Sequence, residues 1–185
     1  MAISWKGDAA FTIDTSSLNT FSPVMPTHAA GDLLIAMWAG KPFDAGVSVT
    51  GWTSLGSGAS GTTASAADLG SVKVQVWYKE ATSASETAPS MVEGSPVWAV
   101  SGGGVSVWQK GAGEAWATPV IVFGLDEDLG ANVSMTMASD PGVVSGDGVQ
   151  GLFGVCTDAA APLTAGPTVT QTGVTFGTVT KDRAQ

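Results

Sequence analysis

One cysteine, one histidine and one tyrosine in 185 residues leave little material for several kinds of chemistry. With Cys156 alone, no intrachain disulfide can form, and a structural zinc site lacks its four Cys or His donors in a single chain. Cys156 follows the apolar run Gly151 to Val155 and reads as a small buried hydrophobe. Any Ser-His-Asp or Cys-His arrangement must use His28, which sits between Thr27 and Ala29 in what reads as a solvated loop ahead of a strand. No Gly-x-Ser-x-Gly elbow accompanies it. Positive charge is scarce as well: seven Lys and Arg stand against sixteen Asp and Glu, for a net charge of −9. Binding to nucleic acid or to an anionic membrane relies on clustered Lys and Arg, so neither partner is expected. Long hydrophobic runs are missing too. The longest, Leu33 to Ala39, is far short of the ~20 residues that span a bilayer. Met1 to Asp8 shows no basic segment leading into an apolar one, so a soluble chain without a cleaved signal peptide is expected.

Charged residues of all kinds make up 12 %, against a usual share of about 25 %. Apolar residues reach 44 %, so the composition is not that of a disordered chain. The result is a neutral surface of Ser, Thr, Gly and Ala, suited to packing against copies of itself or other chains.

What is present points to strands. The 25 glycines and nine prolines punctuate the chain too often for helices, and no apolar pattern of helical period persists. Val72 to Val76 alternates apolar and polar residues, which places Val72, Val74 and Val76 on one face of an edge-like strand ending at Lys79. Leu33 to Ala39 is apolar throughout, as in a strand covered on both faces. Val105–Trp108, Thr118–Gly124, Val133–Met137 and Val149–Val155 are further candidates, separated by loops such as Gly56–Ala67. Many short strands between turn signals predict an all-β fold, an antiparallel sandwich or barrel.

The order Gly31-Asp32, apolar strand, Gly51-Trp52-Thr53 returns as Gly146-Asp147, apolar strand, Gly173-Val174-Thr175. This suggests two related β-units, residues 1–100 and 101–185, with the second incomplete or packed with the first as a single domain. In the first unit the Gly-Trp-Thr turn is followed by the strand Val72 to Lys79, whereas the second stops at Gln185. Either a neighbouring chain closes it, or the natural protein continues.

Three segments carry a resemblance: Pro26-Thr27-His28-Ala29-Ala30-Gly31-Asp32-Leu33-Leu34, then Gly51-Trp52-Thr53-Ser54-Leu55, then Tyr78-Lys79-Glu80-Ala81 with Ser85-Glu86-Thr87. Together they resemble a recurring module of minor tail and virion surface proteins of tailed bacteriophages that infect actinobacteria. The similarity covers residues 21–90 well and the remainder loosely, and Thr50 stands where that module usually has a proline. The resemblance implies a jelly-roll sandwich and no catalytic motif. In physical terms Pro26 fixes the chain before the strand, and Gly31 with Asp32 makes the turn that feeds it. Gly51 supplies backbone freedom beside Trp52, whose ring would cover the end of the sandwich.

Seven tryptophans are many for this length. Trp38, in the most apolar strand, is expected in the core. Trp98, Trp108 and Trp116 fall in the Gly-rich stretch Gly94–Trp116 and are the candidates for a protein or glycan contact surface. Gly102-Gly103-Gly104 is no phosphate loop, since no lysine follows at the required spacing. Asp126, Glu127 and Asp128 form the one tight acidic cluster; they suit a solvated hairpin tip or a calcium site, but not an EF-hand loop.

The expectation is therefore a non-enzymatic structural component of a virion, at its tail or particle surface. It would be homo-oligomeric, bound to other virion proteins and free of cofactors and metals. The alternative is a carbohydrate-binding, host-recognition module that contacts cell-wall glycan. A β-sandwich hydrolase is the third reading, disfavoured by the lone His28.

Overall fold

The computed structural model describes residues 3–9, 12–14, 20–41, 47–60, 72–93, 100–121 and 123. Among them are nine strands and no helix: β1 (Ser4–Asp8), β2 (Thr12–Asp14), β3 (Thr20–Phe21), β4 (Leu33–Lys41), β5 (Val47–Val49), β6 (Thr53–Ser60), β7 (Val72–Glu80), β8 (Met91–Glu93) and β9 (Val100–Gln109). Every pairing is antiparallel. The larger sheet runs β1-β9-β4-β7-β6, and β2 continues along the edge of β9 that β1 begins. The smaller sheet is β3-β8-β5.

Strand β4 is the central strand of the larger sheet. It pairs with β7 over Leu33–Gly40 and with β9 over Leu33–Lys41. Side chains alternate across a strand, so Leu34, Ala36 and Trp38 share one face with Trp77 of β7 and with Val105 and Val107 of β9. That face meets Phe21, Val47, Val49 and Met91 of the smaller sheet in one buried cluster. The fold is thus an antiparallel β-sandwich. A hydrogen bond also joins the two sheets, with Val47 N donating to Gln75 Oε1 at 3.0 Å.

Glycine in β9 sets how closely the sheets approach. Gly103 lies opposite Trp38, and a Cβ there would stand 2.7 Å from the Met37 carbonyl oxygen and 2.9 Å from Phe21 Cζ. The Trp38 indole itself folds over Gly40, filling the space a side chain would need. Gly102-Gly103-Gly104 is therefore a packing feature in mid-strand, where a side chain on the central residue would push Phe21 away.

The second face of the larger sheet is apolar too. Leu33, Met37, Ala39 and Val76 are buried there, with Ile35 and Tyr78 half-buried. Phe123 lies against this face beside Gly56. The continuous apolar run in β4 is covered on both sides, and Val74 and Val76 share one face of β7.

Several local readings need correction. Gly56–Ser60 is not loop but part of β6, because pairing with β7 outweighs the poor strand propensity of glycine and serine. Strand β7 is internal, flanked by β4 and β6, and not an edge. Strand β9 begins at Val100 and runs through the triple glycine, well before Val105. The strand expected at 118–124 is absent over residues 118–121 and 123, where Pro119 lacks the N–H a ladder needs. The candidates Val133–Met137 and Val149–Val155, Cys156 and the repeated motif from Gly146 to Gly177 lie outside the described residues; of the expected second unit, residues 101–121 and 123 are described, and 101–109 belong to β9 of the larger sheet.

Candidate functional site

The segments that carry the family resemblance meet at one end of the larger sheet. The turn Ala29–Asp32 feeds β4. Within it Asp32 N donates to Ala29 O at 3.2 Å, and Ala29 N donates to Asp32 Oδ2 at 2.7 Å. Gly31 adopts φ +86°, a left-handed backbone that side chains disfavour. Gly31 N then donates to Ala81 O at 2.7 Å, and Ala81 N to Asp32 O at 2.8 Å, closing the ladder just ahead of the first residue of β4 and just past the last of β7. Asp32 Oδ2 also takes the Lys6 ammonium of β1 at 2.6 Å, with only 4 % of the Asp32 side chain exposed. One carboxylate thus ties β1 to the turn ahead of β4. Asp32→Ala would strand a cation and a main-chain N–H. We expect it to cost about 2 kcal/mol of stability, read as a lower urea midpoint at unchanged slope.

Beside this turn, His28 is buried, not solvated as its loop position suggests. Its Nδ1 lies 2.7 Å from the Pro26 carbonyl oxygen, which can only accept, and its Nε2 accepts from Glu86 N at 3.0 Å. The partners therefore assign a neutral imidazole with its proton on Nδ1. Both ring nitrogens are engaged with main-chain groups, so the single histidine serves as a strut between the Pro26–Asp32 segment and the loop after β7.

Glu86 is the other half of that strut. Its carboxylate accepts from Lys79 Nζ at 2.5 Å, from Thr82 Oγ1 at 2.6 Å and from Thr82 N at 2.7 Å. The Lys79 hydrogen bond first, and those from the Thr82 side chain and backbone next, hold its pKa down at about 2, from an ordinary 4.5. A depressed carboxylate stabilises the fold fully above its unfolded value and loses that contribution as pH falls through its folded value. Wild-type protein should accordingly lose stability between pH 4.5 and about 2. Glu86→Gln should be less stable at neutral pH and lose less over that interval, as acid titrations of the unfolding free energy would show.

The outer face at this end carries a row of large side chains. Trp5 of β1 stands opposite Trp108 of β9, Trp108 opposite Leu33 of β4, and Leu33 opposite Glu80 of β7. Residues directly opposite across strands share a face, so the two indoles are neighbours. Trp5 is 54 % exposed and Trp108 half-buried. Lys110, just beyond β9, pairs with Glu80 at 2.5 Å and lies 6.0 Å from the centre of the Trp116 ring. Trp116 Nε1 donates to Gly31 O at 2.9 Å, which fixes this indole on the motif turn. A shallow cleft of about 220 Å³ opens beside it, between Ala30–Asp32 and Gln109–Glu114.

Of the three tryptophans singled out from the sequence, Trp108 and Trp116 both have partners at this end of the sheet, and Trp98 lies outside the described residues. Asp126, Glu127 and Asp128 also lie outside them. Among the described residues no group of three or more His, Cys, Asp or Glu side chains is placed to hold a metal, and no helix is long and apolar enough to cross a membrane. Trp5 was not readable as a surface residue, because β1 is half polar and its place beside Trp108 comes from a pairing about a hundred positions away in sequence. The linkage of His28 to Glu86 had a signal, since both belong to the motif segments, but not one that gives contact. No protein-family model matches the chain, and neither a curated protein nor a solved structure matches it significantly.

Proposed function

We propose that this chain is a non-enzymatic structural component of a bacteriophage virion, a minor tail or particle-surface protein of jelly-roll type. It acts through contacts with other virion proteins and with copies of itself. The observation that carries the reading is the convergence of the motif residues Pro26, His28, Gly31, Asp32, Lys79, Ala81 and Glu86 into one bonded lock. Residues that resemble a virion module here do the work of scaffold, and the lone histidine is spent on that scaffold, as a contact protein would spend it. The low charge and the rigid aromatic row at the locked end support the same reading. Light scattering on the purified chain tests it: a trimer, hexamer or larger assembly is expected, and a monomer at every concentration would count against it.

A second reading, a host-recognition module for cell-wall glycan, is favoured by the exposed Trp5 beside Trp108, since indole faces stack on sugar rings. It predicts that host cell-wall glycan changes the tryptophan fluorescence of the wild-type chain and leaves that of Trp5→Ala much less altered. Equal responses, or none, would remove it.

A further inference from the structure

We propose that the outer edge of β6 is a strand-addition site, and that its occupant is β6 of a second copy of this chain, paired antiparallel about a two-fold axis. The two larger sheets then join into one. This rests on the contact-protein reading and names the surface that such a protein uses to meet itself.

Strand β6 is the last strand of the larger sheet, bonded on one side to β7; among the described residues no strand pairs with its other side. A free edge is a row of N–H and C=O groups ready to pair, and proteins ordinarily block it with charge, proline, bulges or brevity. The two edges of this sheet differ in that respect. The β1–β2 edge is split into pieces of five and three residues, bulged between Trp5 and Gly7, and carries Lys6, Asp8 and Asp14. Strand β6 is eight residues long, Thr-Ser-Leu-Gly-Ser-Gly-Ala-Ser, with neither charge nor proline. Its irregularity is confined to Leu55 and Gly56, the latter at φ +140°, which leaves Ser57–Ser60 in regular register with β7.

The neutrality of β6 also argues for the occupant. At a net charge of −9 two copies repel each other, and they approach at least cost where neither carries a carboxylate. Ser57 and Ala59 are small and exposed, so no long side chain separates two β6 backbones. An antiparallel strand pair is self-complementary, as a two-fold contact requires.

The test is hydrogen exchange across a concentration series, together with light scattering, on the wild-type chain and on the Ser57→Lys/Ala59→Lys double variant. Both substituted positions are exposed, so the variant should still fold, with a somewhat lower melting temperature because Ala59 stands opposite Lys73 of β7, while setting like charges against each other across the joint. The inference expects the amides of residues 53–60 that point away from β7 to exchange more slowly in the wild type as concentration rises. It also expects the variant to exchange these outward amides fast throughout and to lose half or more of its assembled mass. A wild-type oligomer whose outward β6 amides stay fast overturns it and leaves the contact-protein reading standing on another surface. Slow outward amides in the monomer also overturn it, because the chain would then cover its own edge. An undiminished mass in a folded variant does the same, and a wild type that never assembles overturns this inference and the reading beneath it.

Discussion

Trp38→Ala is expected to lower the free energy of unfolding by about 3–5 kcal/mol, out of roughly 5–15 for a whole domain. Trp38 is fully buried at the middle of β4, which is bonded to β7 on one side and β9 on the other. Its indole folds over Gly40 on its own strand and faces Gly103 on the next, so neither position offers a side chain to fill the space, and only Phe21 and Met91 of the smaller sheet could move toward it. How far those two relax sets where in that range the cost falls. Urea denaturation followed by circular dichroism would read it as a lowered midpoint. Trp38→Phe keeps an aromatic ring in the site and should lose markedly less.

Gly103→Val should be damaging for the opposite reason, by about 3 kcal/mol, the upper end for overpacking a core. The first carbon of any side chain there stands 2.7 Å from the main-chain oxygen of Met37 and 2.9 Å from Phe21 Cζ. Phe21 can turn aside at a cost, but the Met37 oxygen belongs to β4 and cannot. Shortening the obstructing ring should therefore rescue the variant only in part. In a double-mutant cycle Phe21→Leu should recover some of the Gly103→Ala loss, and the same Phe21→Leu in the wild type should be purely destabilising. Full additivity of the two changes would show that Phe21 is not what Gly103 makes room for.

These two residues also show how far the sequence could be read. Trp38 was legible because seven consecutive apolar residues between turn signals leave no polar face, and the strand is covered on both sides as that pattern demands. The strand at Val72–Val76 was legible from its period of two, and Gly51 before Trp52 from its turn chemistry: the glycine has φ +80° and the indole packs against the core cluster. Gly103 was not legible. Three glycines in a row look like a loop, and only the neighbouring sheet, with Phe21 and Met91 against the gap, explains glycine in mid-strand. Strand β6 was hidden likewise, since Gly56–Ser60 has no pattern of its own and owes its extended form to β7. The short strands β2, β3, β5 and β8, of two or three residues each, hold too few positions for any period to show.

The locked end was half legible. Gly31 and Asp32 were readable as a turn, yet a sequence cannot say that the Asp32 carboxylate is buried under Lys6 from β1, 26 positions earlier. The reading of His28 as a solvated loop residue failed because its partners are main-chain atoms of Pro26 and Glu86, and main-chain donors and acceptors leave no trace in residue identity. What composition did convey was the general character of the surface. Among the described residues, the ion pairs Lys6–Asp32, Lys79–Glu86 and Lys110–Glu80 gather at the same end as the exposed Trp5.

The claim that this chain is a particle component is tested most directly by immunogold electron microscopy, with antibody raised against the purified protein, on lysates of the cells that encode it. The account predicts gold on the tails or outer surface of phage particles, and co-purification of the chain with those particles through a density gradient. Label confined to soluble cell protein, with intact particles present and unlabelled, would contradict it.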